Sequence, residues 1–526
     1  MKNLYILLLF LSSFAHGQLK VVVKFKDKSN SDYSSLPPTT YLSEKAILRR
    51  NIQNIQITPL DFPPNPTYLK AIREKGGSVI YTSRWLNAAL VACTEESLKD
   101  ILSLPFVSGL ETAGDIRFGA KLEEKETFSP DSFGLSENQL SMLESQRSFD
   151  LGFKGKGILI GVFDSGFESV HTMPAFAHLV KENKIKFTYD FVANDGNVYD
   201  DDDHGTMVLS CISGILTNEF SGTAPDADVA LFRTEDVETE TKIEEFYWLL
   251  AAEKADSLGV DIINSSLGYS VFDSPAQNYT YNDMIGNKAL ITRAANWAAR
   301  AGILVVTSAG NEGRSSWRYI TAPADGDSVL AVGAVNANQV IASFSSVGPS
   351  AKGIIKPEIV AQGQTTAVIP PNNVVRFANG TSFSSPLIAG FAACVKQAFP
   401  YLTAHELRET ILQSGSQALS PDNIKGFGVP TFSAVEKREI AKNIVLQSEP
   451  LYSSTSLHDW LMSQLNGPEV MEELSINHLN GQTVTKLSLT NFSISEITQH
   501  VQSFTPYLIT LSSKNKSVSK KILLIR

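Results

Sequence analysis

The stretch GILIGVFDSG, residues 157–166, is apolar without alternation from Ile158 to Phe163 and then breaks on Asp164-Ser165-Gly166. A strand with one wet face alternates polar and apolar residues. An unbroken apolar run reads instead as a strand covered on both faces, as in a parallel sheet beneath helices. Segments of the same kind follow: ADVALFRT (227–234), VDIINSSLG (260–268), ILVVTSAGN (303–311) and SVLAVGAV (328–335). Helical patterns separate them, notably TKIEEFYWLLAAEKADSLG (241–259) and ITRAANWAARAG (291–302). From about 140 to 440 the chain therefore reads as an α/β domain: a parallel sheet with helices on both faces. Such sheets gather their chemistry at the carboxyl ends of the strands, so the polar residue ending each strand is the one to follow.

The flanks differ. Residues 18–120 read as a small α+β unit. It contains the strand VVVKF (21–25), a helix capped by Ser43, the strand WLNAALVAC (85–93), a helix starting at Thr94 and the strand FVSGLE (106–111). A polar linker, AKLEEKETFSPDSFG (120–134), follows. Residues 447–526 turn to short alternating patterns and read as a small β-sandwich-like domain ending in a hairpin. At the other end, Lys2, the apolar run Leu4–Leu11 and the small pair Ala15/Gly17 read as a secretory signal cleaved after Gly17, so 1–17 is a signal peptide. The run is too short to span a bilayer, and no later stretch offers a transmembrane segment. The protein is expected outside the cytoplasm, secreted or on the cell surface.

With 526 residues, 43% hydrophobic and 19% charged, the chain is a multidomain globular protein. A net charge of −10 argues against a nucleic-acid partner. Three cysteines, Cys93, Cys211 and Cys394, make no disulfide framework and no zinc motif. They read as small buried apolar residues, with Cys211 and Cys394 able to pair only if their helices lie side by side.

Four strand ends or helix starts carry chemistry. Asp164 ends its strand, where a half-buried carboxylate needs a partner or caps a turn. His204, in DDDDHGTMVLSCISG (200–214), stands at a helix start, where the helix dipole disfavours an imidazolium and favours the neutral ring of a base. Asn311 follows the strand 303–311 and either makes a turn or aims an amide N–H at a developing oxyanion. Ser382, in NGTSFSSPLIAG (379–390), opens an apolar helix and is either a cap or a nucleophile beside free backbone N–H groups. Each residue alone admits the structural reading. Together they supply the orienter, base, oxyanion donor and nucleophile of serine acyl transfer.

The blocks VFDSG, HGTMV, SAGNEG and NGTSFSSP resemble the four signatures of subtilisin-like serine peptidases, and NSSLG, GTAPDADV and IIKPEIVAQG resemble further segments of that family. The order Asp, His, Ser is also that of subtilisin. The resemblance implies Asp164 as orienter, His204 as base, Ser382 as nucleophile, and Asn311 with the Ser382 N–H as oxyanion donors. It implies that Ser266, Leu267 and Gly268, with Ser308, Ala309 and Gly310, line the cleft and first specificity pocket. Met207 stands where many members carry a second histidine.

The resemblance further makes residues 18–120 an inhibitory propeptide and 447–526 a sorting domain for type IX secretion. It implies polypeptide substrates, the chain's own propeptide and a secretion machinery as partners, with export through the periplasm. No cofactor is required. Calcium is a candidate in this family, but Asp200–Asp203 reads as a solvated acidic loop and no metal is assigned. Two rival readings are an inactive surface adhesin on the same scaffold and a secreted esterase. An esterase is expected to show G-x-S-x-G and the order Ser, Asp, His, which this chain lacks.

Overall fold

The computed structural model describes residues 19–29, 31, 33, 35–111, 133–446, 473–478, 483–488, 506–512 and 517–523. The signal peptide, most of the linker, and Lys514 and Lys516, lysines of the expected terminal hairpin, lie outside the described residues. Two compact units are present. One comprises residues 1–41 and 57–114, the other 42–56 and 115–526.

The N-terminal elements are β1 (Leu19–Phe25), α1 (Glu44–Ile52), α2 (Pro66–Glu74), β2 (Ser78–Ser83), β3 (Ala88–Cys93), α3 (Glu95–Leu102) and β4 (Val107–Leu110). All but α1 belong to the first unit. Its sheet is antiparallel in the order β2-β3-β1-β4. Val21, Val23, Ala89, Val91 and Ile101 form its core. Thr94 caps α3 by accepting from Ser97 N, as its sequence position predicts. The strand expected over 85–93 begins only at Ala88, because Trp85–Asn87 turn, with Asn87 at φ +53. The sequence reading passes over α2 and β2. Pro66 sits at a first helical position that needs no N–H, so it opens α2 without breaking it.

In the second unit α1 is capped by Ser43, whose hydroxyl accepts from Ala46 N. Arg49 and Arg50 of this helix both bond Asp256, which is fully buried. The chain continues through α4 (Glu137–Ser141), α5 (Ser145–Asp150), β5 (Leu159–Asp164), α6 (Ala177–Lys181), β6 (Ile185–Asp190) and α7 (His204–Ser213). A two-residue ladder, β7 (Ile215–Leu216) with β8 (Phe220–Ser221), precedes β9 (Asp228–Arg233), α8 (Lys242–Leu258), β10 (Ile262–Ser265) and α9 (Leu290–Arg300). Next come β11 (Leu304–Ser308), β12 (Leu330–Val335), β13 (Ile359–Gln362), β14 (Thr366–Val368) and β15 (Arg376–Ala378). Helices α10 (Thr381–Ala398), α11 (Ala404–Gln413) and α12 (Phe432–Leu446) follow.

The central sheet has seven strands in the order β13-β12-β11-β10-β5-β9-β6, every pair parallel. Every residue of β5 is buried. Ile160 and Val162 join the core shared with α7 and α10. Phe163, between them and the strand end, packs edge-on to Trp248 of α8 at 5.3 Å. Successive residues thus face opposite helical layers, which is why the sequence runs apolar without alternation. Trp248 satisfies its indole N–H on Ser265 Oγ at 2.9 Å.

The three cysteines are free and buried. Cys394 donates to Thr223 O at 3.2 Å and does not pair with Cys211. Near the C-terminus β16 (Glu473–His478), β17 (Thr483–Ser488), β18 (Pro506–Ser512) and β19 (Ser517–Leu523) form one antiparallel sheet in the order β17-β16-β18-β19. Its last two strands are the expected hairpin. Among the described residues no helix is long and apolar enough to cross a membrane.

Candidate active site

Asp164 is the last residue of β5 and His204 the first of α7. The two elements meet closely because glycines stand at the crossing. A Cβ added to Gly205 would lie 2.2 Å from Gly166 O and 2.9 Å from Asp164 Cβ. With no side chain there, His204 Nδ1 comes within 2.7 Å of Asp164 Oδ1. Asp164 is 1% exposed, and its Oδ1 also accepts from Ser165 N at 2.9 Å. An anion so deeply buried must be offset by donors, and an ionised carboxylate can only accept. The proton on the 2.7 Å contact therefore belongs to Nδ1, which leaves Nε2 as the basic nitrogen of the neutral ring.

Ser382 is the second residue of α10. The helix N-cap is Gly380, and the Ser382 hydroxyl caps nothing: it donates to Ser266 O at 3.1 Å. The first N–H groups of a helix have no intrahelical acceptor. Thr381 N–H is taken by Asn311 Oδ1 at 2.9 Å and Phe383 N–H by Gly380 O at 3.1 Å. Ser382 N–H, between them, has no acceptor among the described residues. Asn311 Oδ1 also accepts from Thr381 Oγ1 at 3.0 Å. Two donors on one side fix which end of the amide is oxygen, so the Nδ2 donors face away from Thr381.

These groups border a single cavity of about 610 Å³, lined by His204, Asn311 and Ser382 together with Ser266, Leu267, Gly268, Ser308 and Gly310. Ala309 does not border it. Ala309 is fully buried and donates its N–H to Val332 O at 3.0 Å, where it spaces the wall. Asp164 stands behind His204 rather than on the cavity surface. Met207 is fully buried, with its sulfur 3.0 Å from an Arg376 nitrogen.

Burial opposes the charged form of His204. The Asp164 carboxylate outweighs it through charge and hydrogen bond, Glu235 and Asp202 add to this, and the imidazole is raised to about 9. The four aspartates before it go to separate partners. Asp200 accepts from Asn197 at 2.6 Å, Asp201 meets Arg233 at 3.2 Å, Asp202 accepts from Ser165 Oγ at 2.5 Å and Asp203 lies 3.6 Å from Arg376. Among the described residues no group of three or more His, Cys, Asp or Glu is arranged to hold a metal ion.

The sequence pattern of the Subtilase family matches residues 155–428, a stretch containing all four of these residues. The chain belongs to the subtilase family. A second pattern, the peptidase S8 propeptide domain of Bacteroidota, matches residues 20–129 of this subtilase. Subtilisin NAT of Bacillus subtilis subsp. natto is 30% identical over 345 residues, covering 65% of this chain and 78% of that protein. Subtilisin DY of Bacillus licheniformis is 32% identical over 262 residues, covering 49% and 84%. Among solved structures, MycP1 with its N-terminal propeptide removed aligns at a TM-score of 0.45 and 24% identity, over 57% of this chain and 96% of that one. This subtilase is a serine endopeptidase, with polypeptides as substrates and its own propeptide as a partner.

Sequence reasoning missed two groups at the site. Thr381 passes for a small residue before the serine, yet it holds Asn311 by both N–H and hydroxyl. Glu235, Glu240 and Glu244 border the same cavity. The rule of following each strand to its end finds Glu235, which comes two residues after β9.

Proposed function

We propose that the enzyme is an exported endopeptidase, made as a precursor, that cuts peptides through Asp164, His204 and Ser382. The observation that carries this reading is the 2.7 Å bond from Asp164 Oδ1 to Nδ1 of His204, which lines one cavity with Ser382 and Asn311. Asp164 keeps the proton on Nδ1. The Ser382 hydroxyl turns from Ser266 O to His204 Nε2, a contact that tightens when substrate binds. Nε2 takes the hydroxyl proton as Oγ attacks the scissile carbonyl carbon. The oxyanion accepts from Asn311 Nδ2 and Ser382 N–H. His204 then protonates the leaving amine, and water drawn to the same base hydrolyses the acyl-enzyme. No step calls for a metal or cofactor.

Residues 18–120 act in this reading as the inhibitory propeptide, and 447–526 as a sorting domain read by type IX secretion machinery. The terminal antiparallel hairpin supports the second role by offering a small β surface to a receptor. N-terminal sequencing of the exported protein tests the precursor reading. The wild type should begin within about 112–140, and Ser382→Ala should accumulate as a precursor beginning at Gln18. An exported Ser382→Ala protein that is processed like the wild type excludes self-cleavage.

A further inference from the structure

Seven residues bordering the catalytic cavity carry carboxylates, and none is Lys or Arg. Elsewhere in this unit several buried carboxylates meet cations, although among the described residues Asp325 is held by Gly286 N and Thr292 Oγ1 alone. Asp256 has Arg49 and Arg50, Asp190 has Arg233 at 2.8 Å, Glu245 has Lys242 at 2.8 Å, and Glu358 has Lys356 at 2.6 Å. The cleft wall built by the end of β9 and the start of α8 breaks this pattern. Glu244 is 1% exposed, and its carboxylate takes only Thr241 N at 2.7 Å and Tyr269 Oη at 3.3 Å. Glu235 takes the same Tyr269 hydroxyl at 3.2 Å. Glu240, between them in sequence, has no hydrogen bond or ion pair to its carboxylate among the described residues. One phenol proton cannot satisfy two carboxylates, and among the described residues Lys242 and Arg233, at the two ends of this wall, bond other carboxylates and not Glu235, Glu240 or Glu244.

An independent feature of the same cavity also calls for a polar visitor. Thr321 is 4% exposed and borders the cavity, and its hydroxyl has no partner among the described residues. It stands between both cleft walls. Cβ atoms built on Gly268 and Gly310 would fall 2.3 and 2.9 Å from its Oγ1. The substrate is what enters this cavity, and a polar, cationic side chain on it would meet both Thr321 and the glutamates.

We propose that the cleft selects polypeptides that carry a lysine or arginine near the scissile bond, its cationic head seated against Glu235, Glu240 and Glu244. The proposal rests on the peptidase reading above. A guanidinium offers five donors in a planar fork, enough to reach more than one of these carboxylates. Burial first, and then neighbouring carboxylates, hold the three carboxyls high: Asp273 beside Glu240 at about 7, Glu240 and Asp164 beside Glu235 at about 8, and Glu235 and Glu240 beside Glu244 at about 10. A cation arriving with the substrate relieves both penalties.

The test uses mature enzyme and pairs of quenched peptides that differ only in arginine or its neutral isostere citrulline, moved one position at a time across the cleavage site. At one position arginine should raise kcat/KM at least about tenfold over citrulline, and rising salt should shrink that ratio. Glu235→Gln with Glu240→Gln should bring the ratio toward one. Glu240→Lys should invert it at that position, favouring glutamate over arginine. Rates are referred to active sites counted with a fluorophosphonate, so a poorly folded variant is not mistaken for altered preference. Ratios near one at every position, or a preference surviving in the double Gln variant, overturn the proposal while citrulline peptides still report a working peptidase. A preference that appears only with added calcium and vanishes with chelator overturns it in favour of a metal-built subsite. If no peptide is cut, the peptidase reading itself falls.

Discussion

Thr381 holds Asn311 from two directions: its N–H and its hydroxyl both reach Asn311 Oδ1, at 2.9 and 3.0 Å. The nucleophile follows one residue later on the same helix. The oxyanion donor and the nucleophile are therefore set by one short piece of backbone, and a disturbance of either should appear in the chemical step.

Asn311→Leu should lower kcat about 10²–10³-fold with little change in KM, a magnitude that comes from subtilisin, a relative of this enzyme. Thr381→Val keeps the N–H and loses the hydroxyl, so it should lower kcat by a smaller factor, also without raising KM. Steady-state kinetics on one peptide decide the matter. A Thr381→Val effect confined to KM contradicts the positioning role.

The pH profile has a defined sign. Activity needs neutral His204, and the imidazole is raised from 6.5 to about 9. The acid limb of kcat/KM, which reports the free enzyme, should therefore lie well above 6.5. The carboxylates facing the ring are Asp164, Glu235, Asp202 and Asp203. Asp202→Asn removes one of them and should move the limb down. Because the folded value exceeds the unfolded one, the stability His204 contributes is full below 6.5 and is lost as pH rises through about 9. The fall in unfolding midpoint caused by His204→Gln should accordingly shrink at alkaline pH. A limb at or below 6.5 contradicts the geometry.

Asp256→Ala leaves Arg49 and Arg50 buried without their anion. Breaking a buried pair by removing one partner costs about 3–5 kcal/mol. Denaturant unfolding of the Ser382→Ala precursor, with and without Asp256→Ala, measures this. A difference below about 1 kcal/mol, the value typical of exposed pairs, contradicts the buried pairing.

Removing 447–526 should leave a chain that folds, matures and cuts peptides in vitro, because α12 ends at Leu446 and every residue of the proposed mechanism precedes it. In the native host the truncated protein should collect in the periplasm. Normal appearance in the medium contradicts the sorting role. Export with loss of activity on one insoluble substrate makes the region an ancillary binding domain instead.

The sheet is legible in the sequence because burial on both faces suppresses alternation, as Ile160, Val162 and Phe163 show. The site is legible because parallel strands deliver their ends to one edge, and Asp164 and Asn311 come directly after such runs. Thr381 is not legible, since its contact with Asn311 joins residues 70 apart in sequence. The role of Ser266 is hidden for the same reason: its carbonyl holds the Ser382 hydroxyl from 116 residues away. Helix α2 is hidden behind its prolines. Of the acidic wall, Glu235 lies where the strand-end rule points, while Glu240 and Glu244 follow no strand end and join the cleft only through the fold.

The most direct test is to label the mature enzyme with a fluorophosphonate and map the modified peptide by mass. The label should fall on Ser382, at one equivalent per active enzyme, with peptide hydrolysis lost in proportion. Asn311→Leu should slow labelling, and Ser382→Ala should take no label and keep only the small residual rate that oxyanion stabilisation and binding provide. Label on another residue, or Ser382→Ala hydrolysing peptides near the wild-type rate, contradicts the account.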